Sequence, residues 1–229
     1  MVIAAPPPTL VRVRGGGAFP VRRVFCIGRN YADHVAEMGG HADRNPPVFF
    51  TKPADAVRCE PGEIQYPLGT TDLHHEVEWV VALYHGGVNL APVAAGALVG
   101  ASAVGIDLTR RDLQAAAKKG GGPWDSAKAF DDSAPLSALA PGGLESVASN
   151  RVMTLAVNGQ ERQRTTLDRL IWSVPELLSH LSALFELKPG DLVFTGTPAG
   201  VGALVPGDRV EAAIDGIAEL SFRITPRAG

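Results

Sequence analysis

Features that are scarce in this sequence exclude several classes of protein. The 229 residues contain only two cysteines, Cys26 and Cys59, and neither belongs to a Cys-x-x-Cys pair. Neither a disulfide framework nor a structural zinc site is therefore expected, and a reducing cytoplasm is the favoured compartment. No apolar run approaches the length of a membrane span, and the N-terminus lacks the charged and apolar regions of a signal peptide. We therefore expect a cytoplasmic protein with no membrane-spanning segment.

Excess charge is lacking as well. The formal net charge is −3, and residues of one sign nowhere form a block. Such a distribution is typical neither of a nucleic-acid-binding surface nor of a polybasic surface that attracts membranes. We therefore expect no nucleic-acid partner and no membrane partner.

Hydrophobic residues, glycine and proline are plentiful. Hydrophobic residues make up 45% of the chain, which also has 26 glycines and 18 prolines. This composition supports a sizeable core and favours a turn-rich, strand-rich fold over a helical bundle. Residues 1–20, with a Pro-rich and a Gly-rich tract, are predicted to form an N-terminal leader segment. Residues 21–229 are predicted to form one domain.

Local patterns divide this domain into short elements. Apolar or alternating runs predict strands at 24–28, 48–53, 75–82, 152–157, 209–214 and 217–224. Helices are predicted within 29–40, at the Ala-rich stretch 94–101 and at 109–118. Ser173 and Glu176 form a capping box that opens another helix. Its apolar face, predicted to lie in the core, comprises Leu177, Leu181, Leu184 and Phe185.

Three carboxylates stand out because they occur in or beside runs suited to burial. Glu76 and Glu78 are two residues apart in a strand-like segment, so they are expected to point to the same face. Two buried like charges need a compensating cation, and Mg2+ takes oxygen ligands. Asp107 ends another apolar run and would complete a three-oxygen face. The alternatives are an edge strand with both glutamates in water, and Asp107 as a helix N-cap.

A second candidate pair lies in the short helix that follows the first strand. His34 and Glu37 are three residues apart, close enough for the carboxylate to orient the imidazole. Spacing alone favours a solvated pair on an exposed turn. Residues 39–47, polar and rich in helix breakers, suit a lid beside this helix.

Two further features complete the set of candidates. Residues 195–202 form a Gly/Thr-rich loop that offers hydroxyl and backbone N–H groups to an anion, although a simple turn has the same composition. Lys52 ends a predicted strand, where an exposed side chain is the usual outcome.

Taken together, these motifs resemble the fumarylacetoacetate hydrolase family from about residue 24 to residue 224. The likeness is carried by Gly-Arg-Asn-Tyr-Ala-Asp-His at 28–34, Leu-His-His-Glu-Val-Glu at 73–78, and the segments 107–114, 122–130 and 195–202. Residues 44–56 are similar to the fumarylpyruvate hydrolases, which belong to the acylpyruvase branch of the family and act in gentisate breakdown.

The resemblance implies a fold, a cofactor and an assembly. The fold is α+β and predominantly β, a mixed β-roll with short flanking helices, and the assembly is a homodimer. The cofactor is Mg2+, with Mn2+ as the alternative, and the implied metal ligands are Glu76, Glu78 and Asp107. The implied catalytic residues are His34, Glu37 and Lys128. The implied substrate-binding residues are Arg29, Arg111, Gln114 and Thr197.

The implied activity is hydrolysis of a carbon–carbon bond in a 2,4-dioxo acid. The metal would bind the 2-oxo acid as a Lewis acid. His34, oriented by Glu37, would take a proton from the water that attacks the 4-carbonyl. Lys128 would help to hold the charge of the departing pyruvate enolate. For fumarylpyruvate, Arg29 and the 195–202 loop are the candidates for binding the distal carboxylate.

Other activities fit the same residues. Oxaloacetate decarboxylation would use the same enolate chemistry without an attacking water. An isomerase or decarboxylase of homoprotocatechuate breakdown would share the fold. A non-catalytic binding protein is disfavoured because the predicted ligands, the His34–Glu37 pair and Lys128 are all present.

Overall fold

The structure is a computed structural model that describes residues 3–37 and 44–227. The strands in these ranges are β1 (Leu10–Arg12), β2 (Ala18–Pro20), β3 (Arg23–Gly28), β4 (Val48–Lys52), β5 (Val57–Cys59), β6 (Glu63–Gln65), β7 (Leu73–His75), β8 (Val77–Leu83), β9 (Val99–Ile106), β10 (Thr109–Arg110), β11 (Ala134–Leu136), β12 (Ala140–Pro141), β13 (Val152–Val157), β14 (Gln160–Thr166), β15 (Asp191–Phe194), β16 (Gly202–Leu204), β17 (Arg209–Ile214) and β18 (Ala218–Thr225). The α-helices are α1 (Ala32–Glu37), α2 (Pro92–Gly96), α3 (Arg111–Gly120), α4 (Asp125–Lys128) and α5 (Val174–Leu184).

Two large sheets build the domain. An eight-stranded sheet has the order β4-β3-β15-β8-β9-β11-β5, with β12 also paired to β9. A five-stranded sheet has the order β14-β13-β17-β18-β6, and a small sheet joins β10, β7 and β16. The predicted fold class, mostly β with few and short helices, is confirmed.

Strand β8 is buried on both faces, which explains its continuous apolar sequence. Trp79 and Val81 belong to the core shared with the five-stranded sheet. Val80 and Ala82 belong to a second core on the opposite face of the eight-stranded sheet. Glu78 lies two residues before Val80 in β8 and therefore points to the same face of the sheet as the second core.

The N-terminal hairpin covers that second core. Strands β1 and β2 pair antiparallel, and Val11 and Phe19 are buried in the second core. The Gly-rich tract 15–17 lies in the turn between the two strands. The division into a leader, 1–20, and a catalytic domain, 21–229, stays a prediction.

Most predicted elements are present, but several bounds differ. The prediction of a helix at the Ala-rich stretch 94–101 is wrong in its second half, because α2 ends at Gly96 and β9 starts at Val99. The apolar residues of β9 fill both cores and make it a central strand. The capping box that opens α5 is present. Leu177 and Leu181 are buried as predicted, whereas Leu184 and Phe185 are exposed at the end of the helix.

The described residues include no helix that is both long and apolar enough to cross a membrane.

Candidate metal centre

Three carboxylates meet where β8 begins and β9 ends. Val77 pairs with Ile106 in the antiparallel β8–β9 ladder, so the chain just before β8 lies beside the chain just after β9. The backbone N–H of Asp107 donates to the carbonyl of Glu76 at 2.8 Å. One oxygen from each of Glu76, Glu78 and Asp107 lies within 4.8 Å of the others. Glu76 lies in the break between β7 and β8, whereas the sequence predicted one continuous strand from residue 75.

Burial makes this cluster electrostatically demanding. Glu76, Glu78 and Asp107 are 5%, 1% and 1% exposed, respectively. Burial and the neighbouring Asp107 and Glu76 charges raise the pKa of Glu78 well above its usual range. Burial also opposes ionisation of Glu76, but the charges of Lys128 and Arg111 outweigh it and lower the pKa of that carboxyl group. The cluster is therefore short of positive charge at Glu78.

Two buried lysines are among the cations that the chain itself places beside the cluster. Nζ of Lys128 lies 2.8 Å from Oε2 of Glu76 and 2.6 Å from both Oδ2 of Asp107 and Oγ1 of Thr109. Nζ of Lys52 lies 2.8 Å from Oδ1 of Asp107. Burial opposes the charge of Lys128, but Asp107 and Glu76 outweigh it and raise its pKa, so this ammonium is protonated. The expectation that Lys52 is exposed is wrong, because a buried carboxylate and two carbonyls hold it inside.

The donor set fits a divalent cation. Three buried carboxylates offer the oxygen ligands that Mg2+ and Mn2+ prefer. Oδ1 of Asp107 accepts no well-oriented hydrogen bond within the described residues, although Lys52 is near. Among the described residues, the one hydrogen bond that Oε2 of Glu78 accepts comes from the backbone N–H of Gly196, at 2.6 Å. A metal ion at this point would supply the positive charge that stabilises the ionised form of Glu78.

Helix α3 presents two of the predicted substrate-binding residues to the cluster. Nη2 of Arg111 donates to Oε1 of Glu76 at 2.5 Å, and its Nη1 donates to Oε1 of Gln114 at 2.6 Å. The two residues are one helical turn apart and therefore share a face. Arg111 thus ties the first turn of α3 to a candidate metal ligand.

The predicted His34–Glu37 pair is formed on α1. Nδ1 of His34 lies 3.3 Å from Oε2 of Glu37, and His34 is only 7% exposed. The same carboxylate accepts the backbone N–H of Gly200 at 3.1 Å. Burial lowers the pKa of His34, against the opposing charges of Glu76 and Glu37. A buried, neutral imidazole replaces the solvated pair that the spacing alone favoured.

The predicted lid, residues 39–47, falls mostly on residues 38–43, which lie outside the described residues.

The Gly/Thr-rich loop is held against the cluster by a buried amide that sequence reasoning missed. Gln163, 1% exposed in β14, donates from Nε2 to Oγ1 of Thr197 and to the carbonyl of Pro198, both at 2.9 Å. Its Oε1 accepts the backbone N–H of Val77 at 3.1 Å and lies 3.0 Å from Nδ1 of His75. The sequence shows only an uncharged residue between Arg162 and Arg164 in a polar strand, and its burial becomes visible only in the fold.

One cavity brings nine of the ten predicted site residues together. Those that line it are Arg29, His34, Glu76, Glu78, Asp107, Arg111, Gln114, Lys128 and Thr197. The tenth, Glu37, contacts the cavity through His34. Arg29 has a φ of 64°, a left-handed conformation that costs a non-glycine residue on the order of 1–3 kcal/mol. Strain of this kind clusters at functional sites.

The fold and this buried carboxylate cluster define a class of protein. Residues 23–225 match the family described as "Fumarylacetoacetate (FAA) hydrolase C-terminal". The chain therefore belongs to the fumarylacetoacetate hydrolase family, as its motifs predicted.

Relatives within the family carry two different activities in their names. A solved structure of fumarylpyruvate hydrolase from Pseudomonas aeruginosa, in complex with Mn2+ and pyruvate, is 46% identical with a TM-score of 0.96. The match covers 99% of this chain and all of that one. The mitochondrial oxaloacetate tautomerase of Rattus norvegicus is 40% identical over 89% of this chain and 91% of its own. A fumarylpyruvate hydrolase of a Ralstonia species is 38% identical over 82% of this chain and 99% of its own.

Proposed function

We propose that this chain is a metal-dependent hydrolase that splits fumarylpyruvate into fumarate and pyruvate. The observation that carries the proposal is the buried Glu76–Glu78–Asp107 cluster, whose cavity is also lined by His34 with its carboxylate partner. A metal ligand set and a neighbouring base are what hydrolysis of a 2,4-dioxo acid needs. The similarity to a fumarylpyruvate hydrolase in complex with Mn2+ and pyruvate supports the same substrate class.

Glu76, Glu78 and Asp107 would hold the divalent ion, Mg2+ or Mn2+. When bound, the ion supplies Lewis-acid polarisation of the 2-oxo acid and neutralises part of the charge that develops on it. Arg111, which already contacts Glu76, and Gln114 would orient the carboxylate end of the substrate from α3.

His34 would act as the general base. Donation of its Nδ1–H to Glu37 leaves Nε2 free to take a proton from water, and burial keeps the ring neutral at pH 7. The hydroxide attacks the 4-carbonyl, and the bond between C3 and C4 of the dioxo acid then breaks. The acyl fragment leaves as fumarate, and the electron pair of the broken bond stays on the pyruvate fragment as an enolate.

Lys128 would stabilise that enolate. Its ammonium is protonated and buried among oxygen atoms, so it offers a preorganised positive charge in a water-poor site. The proton that His34 took from water would then return to C3 of the enolate, which completes pyruvate and restores the neutral imidazole. Arg29 and the 195–202 loop would contact the acyl end of the substrate. Within this loop, Thr197 is buried and lines the cavity.

A second candidate function is tautomerisation of oxaloacetate. The 40% identity to an oxaloacetate tautomerase favours it, and the same cavity would bind both acids. Interconversion of keto and enol forms moves one proton on and off carbon and needs no attacking water. Hydrolysis should therefore need His34 to activate the attacking water, whereas tautomerisation has no such step.

A substrate panel tests the proposal. Purified protein is assayed with fumarylpyruvate, maleylpyruvate, acetylpyruvate, fumarylacetoacetate and oxaloacetate, each with Mg2+, with Mn2+ and with EDTA. We expect metal-dependent loss of the dioxo-acid absorbance to be fastest with fumarylpyruvate, with fumarate and pyruvate as products. Rapid keto–enol exchange of oxaloacetate without cleavage of any dioxo acid would instead identify the second candidate. The homodimer remains a prediction from the family resemblance.

A further inference from the structure

The face of α3 that lines the cavity continues past the two residues discussed above. Lys118 follows Arg111 by seven positions and Gln114 by four, so all three lie on one face of the helix. Lys118 lines the same cavity as the carboxylate cluster. It stands one helical turn beyond Gln114, toward the C-terminal end of α3. The helix therefore carries a row of three side chains that leads from the cluster outward.

Lys118 has no acidic partner among the residues that the structure describes. Within residues 3–37 and 44–227 it takes part in no ion pair, and its Nζ lies 5.3 Å from the centre of the Trp124 ring. Lys118 is exposed, and its partial desolvation together with the positive charges of Arg111 and Arg29 lowers its pKa. This ammonium lies near an aromatic face, and no carboxylate in the described parts of the chain is within ion-pair distance of it.

Arg29 is the second cation that lines this cavity without an acidic partner among the described residues. It lines the same cavity, is exposed, and forms no ion pair with any residue that the structure describes. Its left-handed backbone fixes it just after β3, at the edge of the site. Arg29 and Lys118 thus approach the cavity from two separate elements.

We propose that Lys118, together with Arg29, binds the second carboxylate of a dicarboxylic 2-oxo acid and makes the site selective against monocarboxylic ones. This inference rests on the proposed function, because it assigns the end of the substrate that does not react. The trans double bond of fumarylpyruvate keeps its two carboxylates at opposite ends of the molecule. When Arg111 and Gln114 orient one end, the other points outward along the row on α3.

The position of Lys118 also selects for length. Seven residues of α-helix rise about 10 Å, so Lys118 stands well beyond Arg111 along the helix axis. The second carboxylate of oxaloacetate is only two carbons from its keto carbon and stays near the carboxylate cluster. Lys118 should therefore contribute to binding of long dicarboxylic acids and contribute little to oxaloacetate.

Kinetics of Lys118→Met test the assignment, with Lys119→Met as the matched control. Lys119 is the adjacent lysine on α3 and is exposed like Lys118, but it does not line the cavity, so its loss removes the same charge from the helix. We expect Lys118→Met to lower kcat/KM for fumarylpyruvate about 10- to 100-fold, mostly through KM, and to leave acetylpyruvate within about threefold. Lys119→Met should change neither, and Lys118→Arg should keep most of the activity. Equal losses on both substrates, or no loss on fumarylpyruvate, would overturn the assignment.

A binding measurement separates this inference from the proposed hydrolysis. The probes are 2-oxoheptanedioate and 2-oxoheptanoate, which have equal length, lack the cleavable 4-oxo group and differ by one carboxylate. Calorimetry with Mg2+-loaded protein should show tighter binding of the dicarboxylate, and Lys118→Met should remove that difference. If the wild-type protein cleaves no dioxo acid but still prefers the dicarboxylate through Lys118, the proposed function fails and this inference stands. If it cleaves fumarylpyruvate but binds both probes equally, the inference fails and the function stands.

Discussion

The ammonium of Lys128 lies 2.6 Å from Oδ2 of Asp107, deep inside the carboxylate cluster. The lysine ends the four-residue helix α4, and the aspartate follows β9, so two separate elements must fold before the pair can form. The same ammonium also contacts Glu76. A single cation thus bridges two of the three candidate metal ligands, whereas Glu78 forms no ion pair within residues 3–37 and 44–227.

Replacement of Lys128 should separate catalysis from metal binding. In Lys128→Met the apolar part of the side chain remains, but the charge that would stabilise the enolate is lost. We expect kcat to fall about 100-fold or more, because such groups act mainly in the transition state. The affinity for Mn2+ should not fall, since a neighbouring positive charge repels the metal. Titration of Mn2+ by calorimetry and steady-state kinetics measure the two effects, and weaker Mn2+ binding with unchanged kcat would contradict this role.

Glu78→Gln should have opposite effects on stability with and without metal. The raised pKa of Glu78 means that its ionised form is disfavoured in the folded protein, so metal-free stability falls as pH rises from the unfolded-state pKa toward the folded-state value. Glutamine imitates the neutral form and still accepts the Gly196 N–H. At pH 7 without metal we expect the variant to melt higher by at least about 2–4 °C, or about 1 kcal/mol.

With metal bound, the wild-type protein should melt at a higher temperature than Glu78→Gln. A ligand present at 100 times its Kd stabilises the folded state by about 2.7 kcal/mol, which corresponds to a rise of roughly 5–10 °C in the wild-type protein. Glu78→Gln should lose most of that rise because it lacks one anionic ligand. Thermal melts with EDTA and with saturating Mg2+ measure both states. An equal Mg2+-dependent rise in both proteins would show that Glu78 does not bind the metal.

The rate should depend on pH through His34. Because burial lowers the pKa of His34, we expect the acid limb of kcat/KM to lie below pH 6.5, with activity lost as the imidazole becomes protonated. The hydrogen bond and charge of Glu37 raise the pKa of His34, so Glu37→Gln should move this limb to still lower pH and reduce kcat about 100-fold. His34→Gln should abolish the limb together with most of the activity. A wild-type limb that is unchanged in Glu37→Gln would contradict the pairing.

Gly196 should be intolerant of any side chain. Its φ is +103°, and an added Cβ would lie 2.8 Å from Cβ of the buried Asn30. Its N–H also binds Glu78, so a shift of this residue would displace both Glu78 and the neighbouring Thr197. We expect Gly196→Ala to lose about 2–4 kcal/mol of stability and most activity.

Gly207 provides the control for this substitution. Its φ is +102°, yet an added Cβ would meet nothing within 4 Å. Gly207→Ala therefore carries the same backbone strain without the clash or the contact to the site. It should lose about 1 kcal/mol of stability and keep its activity, as followed by denaturant unfolding and kinetics. Equal activity loss in both variants would mean that backbone strain alone disturbs the site.

The sequence predicted the features that depend on local patterns. The spacing of Glu76 and Glu78 and the capping box at Ser173 each need only a few neighbouring residues. The features that it missed depend on distant partners. Lys52 is buried because its ammonium pairs with Asp107 and donates to the carbonyl of Lys128. These partners lie 55 or more residues away in the chain.

Context also overrode local propensity. The Ala-rich run after α2 suits a helix, but as β9 its small side chains let it pair with β8 at the centre of the large sheet. Gln163 joins β14 to the 195–202 loop and the start of β8, and no short-range pattern indicates such a connection. The motifs therefore marked residues that the fold brings to one cavity, whereas the contacts that hold them in place required the folded structure.

The most direct test of the central claim is an anomalous difference map from crystals grown with Mn2+ and pyruvate. We predict one Mn2+ peak about 2.0–2.3 Å from an oxygen of each of Glu76, Glu78 and Asp107, with pyruvate beside it and the ammonium of Lys128 within hydrogen-bonding distance of the pyruvate. A map with no peak among these carboxylates, or with the metal bound elsewhere on the chain, would contradict the account.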